Sequence, residues 1–139
     1  MALIHGTGIL YEGKGLLIMG PSGSGKSDLA LRMIGCGALL IGDDYVEISQ
    51  EESGLAVMET VKNIAGKIEV HNVGILDVPF QSQCEIDLVL NLVGDVGQLD
   101  RLPEIKKRTV DSLSLPCLDF YGFEPSAPEK IKAALAIFT

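Results

Sequence analysis

The sequence predicts an α/β fold with a mixed sheet, and three observations carry that expectation. Apolar runs of strand length, unalternated and bounded by glycine, recur along the chain. A helical pattern follows the first of these runs after one glycine-rich turn. The middle of the chain holds several strand-like segments with little room for helices between them. With 139 residues and 47% hydrophobic content, the length suits a single domain, residues 1–139, that buries its own core without staples.

Leu16-Leu17-Ile18-Met19 lies between Gly15 and Gly20, is too short for a helix, and reads as a central strand buried on both faces. From Lys26 to Ile34 the residues Leu29, Ala30, Met33 and Ile34 fall on one helical face, and Gly35 and Gly37 offer a stop. Ala38-Leu39-Leu40-Ile41 repeats the buried-strand signature and runs into Gly42-Asp43-Asp44. Short strands are expected at Tyr45 to Ile48, Leu55 to Met58, Lys67 to Val70 and Gly74 to Val78, and this stretch reads as antiparallel. Ile86 to Val93 is a further core strand and ends in Gly94-Asp95. The tail predicts a helix with Ser126 as N-cap, Pro128 in the first turn, Glu129 completing a capping box, and Ile131, Leu135 and Phe138 facing the core. Residues 98–125 receive no assignment, and no internal repeat or linker suggests a second domain.

The turn after the first strand carries chemistry. Gly20-Pro21-Ser22-Gly23-Ser24-Gly25-Lys26-Ser27 matches the phosphate-loop pattern G-x-x-x-x-G-K-[ST] without a mismatch, with the strand before it and the helix after it that the pattern requires. Glycines let the backbone curl until several N–H groups point inward, and the helix amino terminus adds its positive dipole end, so an anion is the natural guest. Lys26 supplies a mobile charge for the β and γ phosphates, and the Ser27 hydroxyl is the usual Mg²⁺ ligand of such loops. The guest expected is the polyphosphate of a nucleotide, ATP with Mg²⁺. Such a loop by itself leaves open whether the γ-phosphoryl passes to water, a small molecule or a protein.

Asp43 and Asp44 stand at the carboxyl end of a strand, where active groups gather in open α/β sheets. On an extended chain their side chains point to opposite faces, so one of them faces the phosphates, as a base for a substrate hydroxyl or a partner of the Mg²⁺ shell. Asp95 is a second candidate carboxylate at a strand end. His5 would tune a neighbouring carboxylate if the first strand lay alongside. His71 receives no role from the sequence alone.

Composition removes several classes. Eleven basic against nineteen acidic residues leave a formal charge of -8, which repels nucleic acid and anionic membrane surfaces. Cys36, Cys84 and Cys117 are odd in number and widely spaced, without a C-x-x-C pair, so neither a disulfide framework nor a zinc site is expected. No apolar run approaches the roughly 20 residues a bilayer helix needs, and the start has no leader-like pattern. A cytoplasmic protein without membrane or nucleic-acid partners is the expectation.

Together, His5-Gly6, the loop Gly20 to Ser27, the strand ending Ile41-Gly42-Asp43-Asp44-Tyr45-Val46, Gly66-Lys67-Ile68-Glu69-Val70 leading into Val73-Gly74-Ile75, and Asp100-Arg101-Leu102 resemble the HPr kinase/phosphorylase family. The similarity covers roughly residues 5 to 102 and resembles a short form made of the carboxy-terminal catalytic domain. The resemblance implies a phosphate-loop α/β domain related to phosphoenolpyruvate carboxykinase and commonly assembled as a hexamer. It implies ATP- and Mg²⁺-dependent phosphorylation of a serine on HPr, the phosphocarrier protein of the bacterial sugar phosphotransferase system, and in many members phosphorolysis of the product. By the same resemblance the catalytic His falls on His5, the loop lysine on Lys26, the Mg²⁺ ligands on Ser27 and Glu69, the proton-accepting Asp on Asp44 with Asp43 beside it, and a charge-stabilising arginine on Arg101.

Two departures stand out. The family continues from Glu69-Val70 into Arg-Gly, where this chain has His71-Asn72. The family's proline-, valine- and arginine-rich loop has no counterpart in Cys117-Leu118-Asp119-Phe120-Tyr121-Gly122. Two other functions share the loop: a small-molecule kinase, and a nucleotide-sensing regulator with weakened catalysis.

Overall fold

A computed structural model describes residues 1–139. The chain opens with β1 (Ala2–His5), β2 (Thr7–Tyr11) and β3 (Lys14–Met19), followed by the phosphate loop and helix α1 (Lys26–Gly35). Next come β4 (Leu39–Gly42), β5 (Tyr45–Gln50), β6 (Ala56–Glu59), β7 (Lys67–Val70), β8 (Gly74–Asp77), β9 (Gln83–Glu85) and β10 (Leu88–Leu92). The hairpin β11 (Lys106–Val110) and β12 (Leu113–Phe120) precedes helix α2 (Ala127–Phe138).

A six-stranded mixed sheet in the order β11, β12, β10, β3, β2, β4 forms the centre. Strands β3, β10 and β12 are mutually parallel, while β2 and β11 run against their neighbours. As its unalternated sequence requires, β3 is buried on both faces: Leu16 and Ile18 pack under the two helices, and Leu17 packs toward a second layer. That layer is an antiparallel sheet in the order β1, β5, β6, β9, whose Val46, Ile48 and Met58 close the second core. On the opposite face α1 buries Leu29, Ala30 and Met33, and α2 buries Ile131 and Leu135, with Phe138 packed at the margin. The hairpin of β7 and β8 stands apart from both sheets, anchored by Ile68.

The helix beginning at Lys26, the antiparallel middle and the Ile86-to-Val93 strand lie where the sequence places them, within a few residues at their ends. Three features differ. First, β4 has the composition of an interior strand yet sits at the sheet edge. Leu40 is nevertheless fully buried, because the Phe80 segment bridges it and exchanges backbone hydrogen bonds through Pro79 and Gln81.

Second, the unassigned stretch contains a complete hairpin. Its turn residues Asp111 and Ser112 both take the left-handed conformation that a tight hairpin needs, at φ 46° and 68°, without the usual Asn-Gly signal. Pro116 argues against an interior strand, but the ladder of β12 with β10 starts only at Cys117. Third, Ser126 precedes α2 as expected, yet its side chain makes no capping hydrogen bond. Its φ and ψ of −83° and 7° lie outside the extended region from which an N-cap hydroxyl reaches back.

Candidate active site

The loop from Gly20 to Ser27 curls as its glycines allow, with Gly23 and Gly25 in left-handed backbone at φ 79° and 93°. Ser24 N–H closes a turn onto the Pro21 carbonyl, and the Ser24 hydroxyl is buried without a partner. Lys26 is almost wholly buried, and its ammonium donates to the carbonyls of Gly20 and Pro21 at 2.8 and 3.1 Å. The loop opens onto a cleft of about 490 Å³, within the range of small-molecule sites.

Four strands deliver side chains to that cleft. From the β4–β5 turn come Asp43 and Asp44, from the end of β1 comes His5, and from β7 comes Glu69 with Val70 and His71 behind it. Asp43 is buried and collects three donors: the Ser27 hydroxyl at 2.6 Å, the Glu69 backbone N–H at 3.2 Å, and the Thr7 hydroxyl at 3.4 Å. Thr7 in turn accepts the Asp44 backbone N–H at 3.3 Å. Asp44 turns outward and accepts from His5 Nε2 at 2.7 Å, with 61% and 44% of the two side chains exposed. The Tyr45 ring lies over the imidazole at a centroid distance of 5.2 Å.

The extended-chain argument for Asp43 and Asp44 is corrected here. Asp44 is left-handed at φ 69°, a conformation Asp tolerates better than most residues, and Tyr45 N–H bonds back to the Asp43 carbonyl. The chain therefore bends, and both carboxylates face one cleft: Asp43 beneath the loop, Asp44 at its rim. Asp95 lies elsewhere and accepts Gly97 N–H at the start of a short 3-10 turn. Arg101 is exposed and does not line the cleft.

Sequence reasoning missed Thr7, whose buried hydroxyl ties Asp43 to Asp44, and the wall formed by Phe123. The first lies in an unassigned strand only two residues after His5. The second lies in a stretch with no element, brought to the loop by Arg32 of α1.

Ser27, Asp43, Asp44 and Glu69 offer oxygen donors only, the set that suits Mg²⁺ rather than a softer metal. No three His, Cys, Asp or Glu side chains converge into a metal cage of their own. Mg²⁺ is commonly held by one or two protein oxygens together with substrate phosphates, so the donor set fits that ion.

A glycine loop at a helix start, with carboxylates at the ends of neighbouring strands, defines a phosphate-loop α/β protein. Residues 1–116 match the family model described as HPr Serine kinase C-terminal domain, and the chain belongs to that family. The match extends beyond residue 102, where the motifs that suggest the family end. The HPr kinase/phosphorylase of Lactobacillus acidophilus is 38% identical over 97 residues, covering 65% of this chain and 30% of that protein. That of Bordetella pertussis is 34% identical over 122 residues, covering 81% of this chain and 39% of that protein. The chain thus spans well under half the length of the curated relatives it matches. The structure of the Hpr(Ser) kinase/phosphatase from Coxiella burnetii shares the fold with a TM-score of 0.85, over 99% of this chain and 90% of that one, at 22% identity.

Proposed function

We propose that residues 1–139 form one catalytic unit that transfers the γ-phosphoryl group of ATP, with Mg²⁺, to a serine of an HPr-like phosphocarrier protein. The observation that carries this reading is the exposed Asp44–His5 pair at 2.7 Å on the rim of the same cleft as the phosphate loop. A base for a protein hydroxyl must be reachable from outside, and Asp44 is, whereas Asp43 is covered. Lys26 and the loop amides would hold the triphosphate, and Ser27 and Glu69 would hold the metal. When bound, Mg²⁺ would supply positive charge that stabilises the transferring phosphoryl group. His5 holds the Asp44 carboxylate in place, and Asp43 fixes the Ser27 hydroxyl. Arg101 lies outside the cleft and is assigned no part in nucleotide binding. Its charge-stabilising part belongs to the transfer step, with the acceptor engaged.

The same carboxylate would return the proton if the product is phosphorolysed, and a cytoplasmic homo-oligomer, a hexamer by family resemblance, is the proposed assembly. The direct test supplies labelled ATP, Mg²⁺ and HPr and looks for phosphoserine. Asp44→Asn should lower transfer by at least about 100-fold while sparing nucleotide affinity. Undiminished transfer would remove Asp44 as the base, and ATP binding with no transfer to HPr would remove the acceptor.

One observation favours a second reading, a nucleotide-sensing regulator with weak turnover. Lys26 is the single Lys or Arg lining the cleft, since His71 stands where the family has arginine. Steady ATP turnover well above a Lys26→Ala control excludes it.

A further inference from the structure

Phe123 is an aromatic ring left half exposed, at 49%, in the wall of the phosphate-loop cleft. Its position is built rather than incidental. Arg32, on the outer face of α1, donates from Nη1 to the Gly122 carbonyl at 2.6 Å and from Nη2 to the Glu124 carbonyl at 2.6 Å, clamping the backbone on both sides of the ring. Tyr121 meets the ring edge-on, with centroids 5.7 Å apart at 70°. On the loop side the fit is close: a Cβ added to Gly25 would sit 2.8 Å from the ring. Gly25 thus makes room for the aromatic as well as supplying its left-handed turn.

A clamped aromatic half exposed in the cleft, beside a loop of the phosphate-binding pattern, suits a flat ligand attached to those phosphates. The geometry points to Phe123 as the platform on which the nucleobase of the bound nucleotide stacks. This inference rests on the nucleotide reading above and names the part of the ligand that the motif leaves unspecified. The groups this reading needs line one cleft. On that reading the carboxylates and His5 serve the reacting phosphoryl and Lys26 and Ser27 the phosphates, while Phe123 stands by Gly25. Stacking is tolerant of the base because every base has a π-face, so adenine and guanine should be accepted alike at this ring.

Calorimetry with Mg²⁺ and three ligands tests this: ATP, GTP, and inorganic tripolyphosphate, which lacks base and sugar. Phe123→Ala should weaken ATP and GTP by roughly tenfold each, the usual size of one base–aromatic stack, and leave tripolyphosphate unchanged. Phe123→Trp should keep nucleotide affinity. Because the chain has no tryptophan of its own, its fluorescence should then be quenched by ATP but not by tripolyphosphate. Equal losses of ATP and tripolyphosphate in Phe123→Ala would make the ring a mere support of the loop and overturn the platform. Unaltered protein that binds tripolyphosphate as tightly as ATP overturns the platform alone, whereas failure to bind either ligand overturns the nucleotide reading with it.

Discussion

Replacing Asp43 by Asn tests the part of the site that is most completely specified by geometry. The substitution keeps shape and removes charge. Its carboxylate accepts Ser27 Oγ–H at 2.6 Å and Glu69 N–H at 3.2 Å, while the 3.4 Å Thr7 contact is too long to weigh equally. An amide would keep its oxygen toward the backbone N–H, which cannot reverse, and turn its NH₂ toward the hydroxyls, which can rotate to accept. Two charge-assisted bonds thereby become neutral ones, a loss of about 1 to 1.5 kcal/mol each. Relief from burying a charge offsets part of it, leaving a net cost of about 1–2 kcal/mol, or roughly 5 °C in Tm. The functional effect should be larger in proportion. The rotated Ser27 hydroxyl no longer presents its lone pairs as before, and loss of such a supporting partner lowers metal affinity by about 10–100-fold. Titrating Mg²⁺ at fixed ATP, with calorimetry for stability, separates the two effects. An unchanged Mg²⁺ requirement in a variant that folds normally would refute the placement of Asp43 behind the metal ligand.

Other outcomes follow from features away from the loop. Cys36 is exposed, whereas burial raises the Cys117 thiol, and burial with Asp87 and Glu85 nearby pushes Cys84 up to about 12. A thiol reagent at about pH 8 should therefore label one cysteine rapidly and the other two only after unfolding. Asp119 is held below its ordinary 3.8 by the Lys106 ammonium at 2.6 Å and the Asn91 amide at 3.0 Å. Its contribution is thus present above that ordinary value and lost as pH falls through the lower folded one. Asp119→Asn should be less stable than the parent in urea at about pH 7, with the gap closing toward about pH 3. Leu90 is fully buried on β10 between β3 and β12, so Leu90→Ala should lose about 2–5 kcal/mol in the same assay.

Much of the fold was legible because its strands carry their burial in their composition. Leu16 to Met19 is wholly apolar and Ile86 to Val93 is broken only by Asp87 and Asn91, and the strands they form lie inside the central sheet. The phosphate loop was legible because its geometry restricts residue type position by position. The hairpin at residues 106–120 was not, since Asp111-Ser112 and Pro116 contradict local rules that long-range pairing with β10 overrides. The bend at Asp44 was missed for a related reason: its left-handed backbone is held by Thr7 and Gly6, some 37 residues away in sequence. The convergence of Asp43, Asp44 and Glu69 depends on those distant contacts, so the strand-end reading could name the two aspartates, and the family resemblance Glu69, without placing them together.

Arg32 grips carbonyls ninety and more positions further along the chain. A ribosome therefore releases the phosphate loop long before it releases the segment that walls it. Until residues 122–125 emerge and dock, a nascent chain owns the motif but not the finished cleft. Nucleotide capture should accordingly begin only after that segment has left the ribosome and docked, and any ligand that settles against Phe123 should slow its detachment from α1.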